Sequence, residues 1–555
     1  MGLLRWEVCS PMTIVYLTAE IGLKSDLHTY SGGLGVLAGD HVESAPDAGI
    51  DLIAVTLLYR QGYSEQHLDD NGIQTESYRD IDPAQHLEDT GIEITLPLDG
   101  TQIQSRLWKM VVEGVNGSKV DVIFLDTRHP ENPERFANLG ERLYGGDDST
   151  RIRQEYLLGV GGIHALDALG IEIDGLHLNE GHCTFAALEM LNRGWSREEL
   201  KQRTLFTTHT PVPAGHDRFT WPAVEEVLGD LLPDDVRDIA NSGDTCSMSH
   251  LGIGLCGSTN AVSKLNAEVA SEMFHGTRIH PITNGIHHTT WTSTATANLF
   301  DEQIQGWRSN PERVREAFDI PANALRMARE KNRSFLRQMV EERTGVILDP
   351  ERLTIGFARR FATYKRANLV FSNLARLRTI GAGRIQFVFS GKAHPRDEGG
   401  KNLIRQIFEG AQELRDEIPV AFLQDYSMEI GRAMTGGVDV WLNNPIRPME
   451  ASGTSGMKAA MNGVPNLSIL DGWWPEACIH GVNGWAIGGS EGERDDERDA
   501  NALYRILEQD VLPVWENDRD RWTSIMLASM VASAGFTGAR MIQDYIRFYD
   551  DFRTD

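Results

Sequence analysis

Residues 353–366 read LTIGFARRFATYKR, an apolar run of strand length that passes directly into a basic segment. The run at 353–357 has the short, uninterrupted apolar character of a strand buried on both faces of a sheet. Similar runs follow, each with a window of helical periodicity behind it, at 385–390, 420–423, 438–442 and 465–470. This alternation of buried strands and helices predicts a doubly wound α/β unit with a parallel sheet.

The first half of the chain repeats the pattern. Its strand candidates lie at 13–18, 50–58, 120–125, 171–178 and 204–208. A polar stretch with helical periodicity, 291–349, separates the two series. We therefore predict an α/β fold with two doubly wound Rossmann-like domains, residues 1–290 and 291–555, facing each other across a cleft that holds the site.

Two segments near the end of the chain carry further predictions. The charge run SEGERDDERDA at 490–500 is typical of a solvated surface loop. Residues 540–552 form an amphipathic helix pattern, and this helix is expected to pack back on the first domain.

Composition excludes several functional classes. The 555 residues carry a net charge of −27, which argues against binding to nucleic acid or to an anionic membrane. No apolar run approaches the roughly 20 residues that span a bilayer. The five cysteines are scattered without CxxC spacing, which favours free thiols and a cytoplasmic location.

The basic segment is unusual on so acidic a chain. Arg359, Arg360, Lys365 and Arg366 place four cations within eight residues, where a strand meets a helix. Arginine offers phosphate a bidentate fork and lysine a compact charge, so the segment predicts an anion site. The alternative is a charge cluster paired with surface carboxylates.

Two other segments have features of ligand-binding turns. YSGGLGV at 30–36 lies between the first strand and a helix expected from about Val36, where glycines allow close backbone approach and the helix start favours anions. EASGTSGMKAAMNG at 450–463 places Lys458 in the first turns of a helix opened by small and hydroxyl residues. A lysine beside a phosphate-binding turn suits pyridoxal phosphate. The alternatives are an ordinary Gly-rich turn and an exposed helix lysine.

The histidines do not form a metal motif. His182, His209, His287 and His288 lack HExxH or another metal spacing, so no metal is expected. Structural or substrate-contacting histidines are the interpretation that remains.

Taken together, these segments resemble the α-glucan (glycogen, starch or maltodextrin) phosphorylases over about residues 13–551. EASGTSGMKAAMNG is similar to the family's pyridoxal-phosphate lysine motif, and RRFATYKR to its basic phosphate-site segment. SGGLG, LNEGH, THT, TNGI and TRIRQEY are further family-like stretches. The resemblance implies a GT-B type architecture and a retaining, reversible phosphorolysis of terminal α-1,4-linked glucose to glucose 1-phosphate.

The resemblance also assigns roles to residues. Lys458 would carry the cofactor as a Schiff base, and Arg359 and Arg360 would face the substrate phosphate. The catalytic set it implies is Arg359, Arg360, Lys365, His209 and Lys458. The cofactor-binding set is Gly33, Lys365, Thr454, Ser455, Gly456 and Lys458. The substrate-binding set is Leu34, His209, Asn284, Glu450, Ser452 and Gly453.

Partners and departures follow from the same resemblance. The expected partners are an α-glucan or maltooligosaccharide, inorganic phosphate and glucose 1-phosphate, with a homodimer as the expected assembly. The chain begins at the first strand, so control through the N-terminal segments of large family members is expected to be absent. Arg359 replaces the usual Lys, Gly456 the usual Asn, and Glu180 the Asp of many members.

Two rival hypotheses stay open at the level of sequence. A nucleotide-sugar glycosyltransferase such as glycogen or starch synthase would share the architecture but have no use for Lys458. A glucan-binding scaffold on an inactive phosphorylase fold would bind glucan without turnover.

Overall fold

The computed structural model describes residues 12–488 and 494–552, and the protein is α/β with strands and helices interleaved along the chain. Positions 1–11 and residues 490–493 of the predicted loop at 490–500 lie outside the described residues. Within that loop prediction, the part from Asp496 onward is wrong, because Asp496–Ile506 is a helix whose N-cap is the Asp495 side chain.

A mixed sheet dominates the first half of the described chain. Its nine strands are β1 (Ile14–Thr18), β2 (Leu52–Leu57), β3 (Glu88–Leu98), β4 (Thr101–Glu113), β5 (Lys119–Asp126), β6 (Gly175–Asn179), β7 (Thr204–Thr208), β8 (Ser258–Ala261) and β9 (Ile279–Pro281). Their order is β9-β8-β7-β6-β1-β2-β5-β4-β3, in which β3, β4 and β5 form an antiparallel meander and the other neighbours are parallel. The prediction of a parallel sheet is therefore wrong at this edge.

A second sheet in the described part of the second half has six strands, all parallel. They are β10 (Leu353–Ala358), β11 (Ile385–Ser390), β12 (Val420–Leu423), β13 (Val440–Asn443), β14 (Asn466–Ile469) and β15 (Gly484–Ile487), in the order β12-β11-β10-β13-β14-β15. The five strands predicted from the sequence are confirmed, and β15 is an addition at the edge.

The remaining strands are short and lie in two small antiparallel sheets: Glu65–Leu68 with Gln74–Ser77, and Arg218–Thr220, Asn241–Ser242 and Thr245–Ser247. The α-helices of the described residues are Gly33–Asp47, Glu134–Ala137, Asp148–Tyr156, Gly162–Ala168, Phe185–Asn192, Arg197–Gln202, Trp221–Leu228, Val236–Ala240, Met248–Leu255, Lys264–Met273, His288–Trp291, Thr294–Gln303, Ala322–Thr344, Leu374–Gly381, Glu398–Leu414, Met428–Gly437, Ser455–Met461, Trp474–Ala477, Asp496–Ile506, Leu512–Asn517, Arg519–Ser533 and Gly538–Asp551. The helical character predicted for 291–349 is confirmed. Among these helices none combines the length and the apolar character needed to cross a bilayer.

Both sheets are covered on both faces. In β1, Val15 and Leu17 belong to one apolar cluster while Tyr16, between them, belongs to another. Successive side chains of a strand point to opposite faces, so this division means that the strand is buried from both sides. The carboxyl ends of the parallel strands are then the parts of each sheet left open to a ligand.

The helix Gly538–Asp551 lies against the first sheet and the helix Gly33–Asp47. The Tyr549 hydroxyl is 2.7 Å from Nδ1 of the buried His177 of β6. The Arg540 guanidinium donates to the carbonyl oxygens of Thr283 (2.6 Å) and Asn284 (2.9 Å). This late helix therefore fixes the backbone of a segment that the sequence assigns to substrate binding.

The middle of the helix Gly33–Asp47 depends on one close approach. A Cβ atom at Gly39 would lie 2.0 Å from the carbonyl oxygen of Gly22. Because the neighbour is backbone, it cannot swing aside, and we expect Gly39→Ala to lower the free energy of unfolding by about 3 kcal/mol. Urea unfolding measures this. Gly535→Ala is the control, because its added Cβ meets nothing within 4 Å; equal unfolding free energies for the two variants would contradict the close approach.

The far end of the same helix is tied to His287 by ion pairs. Nδ1 of His287 lies 3.2 Å from Oε2 of Glu43, and Nε2 lies 3.2 Å from Oδ2 of Asp47. Donor atoms of Asp47, His287 and His288 come within 4.8 Å of one another. However, carboxylates contact both ring nitrogens of His287, an arrangement that suits a protonated imidazole rather than a metal ligand.

These ion pairs predict a pH dependence of stability. Burial opposes the charge on His287, but hydrogen bonds and charges from Asp47 and Glu43 outweigh it and raise the pKa of His287 from 6.5 to about 10. A raised folded-state pKa gives stability that is complete below about pH 6.5 and is lost as the pH rises through about 10. We expect His287→Gln to cost about 1 kcal/mol or more at pH 6.5 and much less at pH 10. Urea unfolding at both pH values tests this, and a constant difference would contradict it.

Candidate active site

A cavity of about 800 Å³ opens at the carboxyl ends of strands from both sheets. Residues that directly follow β1, β6 and β7 line one part of it, and residues that follow β10, β11 and β12 line another. Ligands of α/β sheets bind at this end of the strands. The cavity is therefore the candidate active site.

The Gly-rich segment forms one wall. The helix begins at Gly33, earlier than the predicted Val36, and its N-cap Gly32 makes no side-chain capping bond. Added Cβ atoms at Gly32 and Gly33 would meet nothing within 4 Å, so the backbone faces open space. The first N–H groups of this helix are thus available to a ligand in the cavity.

Glu20, two residues beyond β1, supports this wall. Its carboxylate accepts hydrogen bonds from the backbone N–H of Ser31 (2.6 Å) and from the hydroxyl of Tyr144 (2.8 Å). Glu20 and Tyr144 both line the cavity but were not predicted. The available signal was a carboxylate directly after a buried strand.

The cations of the basic segment separate into two roles. Arg359, Arg360 and Lys365 line the cavity. Arg366 does not: it is buried and paired with Asp496 (2.8 Å) and Asp499 (2.9 Å). The structure therefore brings three of the four cations to one cavity, whereas Arg366 holds the helix Asp496–Ile506 in place.

Arg360 differs from its neighbours in having no counter-charge. Its side chain is exposed to the cavity, and no carboxylate of the described residues lies within 4 Å of its guanidinium. In contrast, Arg359 and Lys365 contact the carboxylate of Glu450 at 2.7 and 3.5 Å. Burial alone would raise the pKa of Glu450, but these two cations hold it at about 2. An anion that enters the cavity would therefore meet, at Arg360, a positive charge that no described carboxylate neutralises.

Lys458 lies on the second turn of the helix Ser455–Met461, directly beneath the cavity. Its Nζ sits 3.5 Å from the centroid of the Trp291 ring, a cation–π contact. Only 4% of the residue is exposed, and burial lowers its pKa from 10.5 to about 8. A buried amine that loses its proton near neutral pH is a competent nucleophile toward an aldehyde.

Three of the predicted substrate-binding residues have unsatisfied polar atoms. Oδ1 of Asn284 and Oγ of Ser452 are buried without a hydrogen-bond partner among the described residues, and Oε2 of Glu450 is buried with only the 3.5 Å ion pair to Lys365. Nδ2 of Asn284 donates to the carbonyl oxygen of Ser452 at 3.2 Å, which keeps two of these atoms together. Buried polar groups without partners are rare, and such a set in a cavity is suited to a polyhydroxyl ligand.

His209 follows β7 and is held in a neutral form. Its backbone N–H donates to Oε2 of Glu180 (2.7 Å), and its Nε2 lies 2.6 Å from Oδ1 of Asn179. Burial lowers its pKa to about 4. A neutral ring that donates from Nε2 leaves Nδ1 as a hydrogen-bond acceptor.

The cavity unites nearly all the residues singled out from the sequence. Its lining includes Gly33, Leu34, His209, Asn284, Arg359, Arg360, Lys365, Glu450, Ser452, Gly453, Thr454, Ser455 and Lys458. Gly456 is outside this lining: it packs against Asn466 and Trp473, and an added Cβ would lie 2.4 Å from Oδ1 of Asn466. The structure thus gives Gly456 a packing role in the helix start.

Comparison with known proteins gives a consistent result. A profile of the family described as "Carbohydrate phosphorylase" matches residues 218–477. The maltodextrin phosphorylase of Thermococcus litoralis is 39% identical, with 98% of this chain and 71% of that relative covered. The glycogen phosphorylase of Mycobacterium tuberculosis (strain H37Rv) is 36% identical, with 97% and 71% covered. The glycogen phosphorylase of Aquifex aeolicus is 35% identical, with 98% and 87% covered.

The cavity and these relatives together define the class of the protein: the chain belongs to the carbohydrate phosphorylase family. Within that family it is an α-glucan phosphorylase, and the resemblance found in the sequence is confirmed. The nucleotide-sugar synthase alternative is not favoured, because the similar relatives are phosphorylases over nearly the full chain.

Proposed function

We propose that this α-glucan phosphorylase removes terminal α-1,4-linked glucose from glycogen, starch or maltodextrin with inorganic phosphate, reversibly and with retention, to give glucose 1-phosphate. The observation that carries this proposal is that Arg360, a cation without a carboxylate partner among the described residues, and the buried amine of Lys458 line the same cavity. The relatives named for maltodextrin and glycogen support the substrate class.

We propose pyridoxal phosphate as the cofactor, and the residues present fit it. The amine of Lys458 borders the cavity and contacts no carboxylate of the described residues within 4 Å, so it is available for a covalent bond. Lys365, Thr454 and Ser455 line the same region and would hold the cofactor phosphate. When bound, the cofactor would supply a phosphate group that can hold or give up a proton beside the substrate phosphate.

The electrostatic problem is to hold two phosphates side by side. Their repulsion is about 4 kcal/mol per pair of unit charges 4 Å apart at an effective dielectric constant of 20. Arg359 and Lys365 share the single negative charge of Glu450, which leaves a net charge of +1, and Arg360 adds a further positive charge for the substrate phosphate. Fixed cations of this kind stabilise charge without reorganisation during the reaction.

The glucose unit would be held by the unsatisfied atoms. Asn284 and Ser452 have buried polar atoms without hydrogen-bond partners among the described residues, and Oε2 of Glu450 has only its ion pair with Lys365, so sugar hydroxyls would complete their hydrogen bonds. His209 would act as an acceptor through Nδ1, and Leu34 would exclude water beside the sugar. This arrangement positions the terminal residue of a glucan against the phosphate.

For the architecture, we propose two Rossmann-like domains of GT-B type, residues 1–290 and 291–555, with the cavity between them. Separate apolar clusters around the two sheets support this division. The lining of the cavity by residues from both parts is consistent with a site in a cleft.

The test is direct. Protein reconstituted with pyridoxal phosphate should release glucose 1-phosphate from maltoheptaose or glycogen in inorganic phosphate, and borohydride reduction should place a pyridoxyl adduct on the peptide that contains Lys458. Cofactor-free protein incubated with a nucleotide-activated glucose is the control. Glucan extension in that control, with no phosphorolysis in the loaded protein, would overturn the proposal.

A further inference from the structure

Asp40 is a buried carboxylate just behind the cavity, on the third turn of the helix Gly33–Asp47. It is 1% exposed. Its Oδ1 accepts hydrogen bonds from the indole N–H of Trp291 (2.6 Å) and from the backbone N–H of His287 (3.1 Å). Its Oδ2 is buried and has no hydrogen-bond partner among the described residues. An unpaired carboxylate oxygen inside a protein is costly, so a compensating charge is required.

Trp291 connects this carboxylate to the cofactor lysine. The edge of its indole donates to Asp40, and the face of the same ring holds Nζ of Lys458 at 3.5 Å from the centroid. The two charged groups therefore lie on one rigid side chain, each oriented by it. Polarisation of the indole N–H toward a carboxylate also makes the ring face more attractive to a cation.

The charges of Asp40 and Lys458 shift each other's pKa values. Burial raises the pKa of Asp40 to about 6, and the charge of Lys458 opposes that rise. Burial lowers the pKa of Lys458, and the charge of Asp40 opposes that fall. Other titratable groups facing the pair are Glu43, which raises both pKa values, and Tyr426, whose own pKa Asp40 raises.

We infer that Asp40 is the buried counter-charge of the Lys458 nitrogen and that it sets the pH range in which this nitrogen bonds to pyridoxal phosphate. The inference rests on the proposed function of Lys458. Bonding requires the neutral amine: its lone pair attacks the aldehyde carbon, a C=N bond forms, and one water leaves. Asp40 keeps the amine protonated to higher pH and stabilises a positive charge on the same nitrogen after the bond has formed. Asp40 is thus a positioning residue, since Trp291 and Lys458 stand between it and the reacting atoms.

Asp40→Asn isolates the charge, because the amide oxygen can still accept from Trp291 and from the backbone of His287. The experiment incubates cofactor-free protein with pyridoxal phosphate across pH 5–10, traps the imine with borohydride, and measures the initial rate of labelling of Lys458 by peptide mass spectrometry. We expect the midpoint of the wild-type profile to move to lower pH by about one to two units in Asp40→Asn. Asp40→Glu should stay close to wild type, and Glu43→Gln should shift less than Asp40→Asn.

The outcomes separate the two proposals. A folded Asp40→Asn protein with the wild-type midpoint would overturn the role of Asp40. No adduct on Lys458 at any pH in the wild type would instead overturn the proposed cofactor function. Asp40→Ser removes the charge with a smaller side chain and gives a second neutral variant if the amide does not fold. A shift shared by Asn and Ser and absent in Glu assigns the effect to charge.

Discussion

Lys458→Ala is expected to lose both the covalent cofactor and phosphorolysis. The side chain is the amine that borders the cavity over Trp291, and alanine leaves no group that can bond to an aldehyde. Loss of a residue that acts covalently typically lowers turnover by about 1000-fold or more. Intact-mass measurement after borohydride reduction and a glucose 1-phosphate assay measure the two losses separately.

The matched control is Lys392→Ala. Lys392 lines the same cavity, but its Nζ is occupied by Asp425 (2.5 Å) and by the carbonyl oxygen of Ser64 (2.8 Å). We expect its variant to keep the pyridoxyl adduct on Lys458. An adduct that persists in Lys458→Ala and disappears in Lys392→Ala would show that the cofactor bonds to Lys392, which would contradict the assignment to Lys458.

Arg360→Ala is expected to raise the phosphate requirement sharply. Arg360 is a cavity cation with no described carboxylate within 4 Å, so its loss removes a strong attraction for the incoming phosphate. A hydrogen-bonded charge of this kind contributes about 2–3 kcal/mol, which corresponds to about a 30- to 150-fold increase in KM for phosphate. Initial rates of phosphorolysis over a range of phosphate concentrations measure it.

Two further variants make this result specific. Arg360→Lys keeps the charge but not the planar fork and should give a smaller increase. Arg366→Ala lies in the same basic segment, yet Arg366 pairs with Asp496 and Asp499, so its main effect should be on thermal stability. An unchanged KM for phosphate in Arg360→Ala would contradict the assigned anion site.

The sequence predicted those strands that form continuous apolar runs along the chain. Strands such as 353–357 and 385–390 are continuous apolar runs because both of their faces are buried, and they were found. Strands β3 and β4 were missed because they alternate polar and apolar residues at an edge that is half exposed, and no search for apolar runs detects them. β15, four residues at the edge of the second sheet, was also missed.

In the candidate site, too, some residues can be recognised from the sequence around them, whereas others can be recognised only from their tertiary contacts. Lys458, Arg360 and Glu450 were predicted because each stands in a segment with a distinctive composition. Glu20 was missed although it closely follows a buried strand, and Asp40 was missed because nothing near it in sequence marks it. Their roles depend on Ser31, Tyr144 and Trp291, which the fold brings to them. Arg366 is the opposite case. Its basic segment predicted a ligand contact, but its tertiary partners give it a structural role.

The hydrogen bonds from Arg540 to the carbonyl oxygens of Thr283 and Asn284 join residues 257 and 256 positions apart. A ribosome therefore completes the segment that we propose to contact sugar long before it makes the guanidinium that fixes that segment. A growing chain can form the first sheet early, but Asn284 gains its final support only when residue 540 has emerged. If the chain were released before residue 540, it would contain the Gly-rich segment at 30–36, but we expect it to bind glucan weakly.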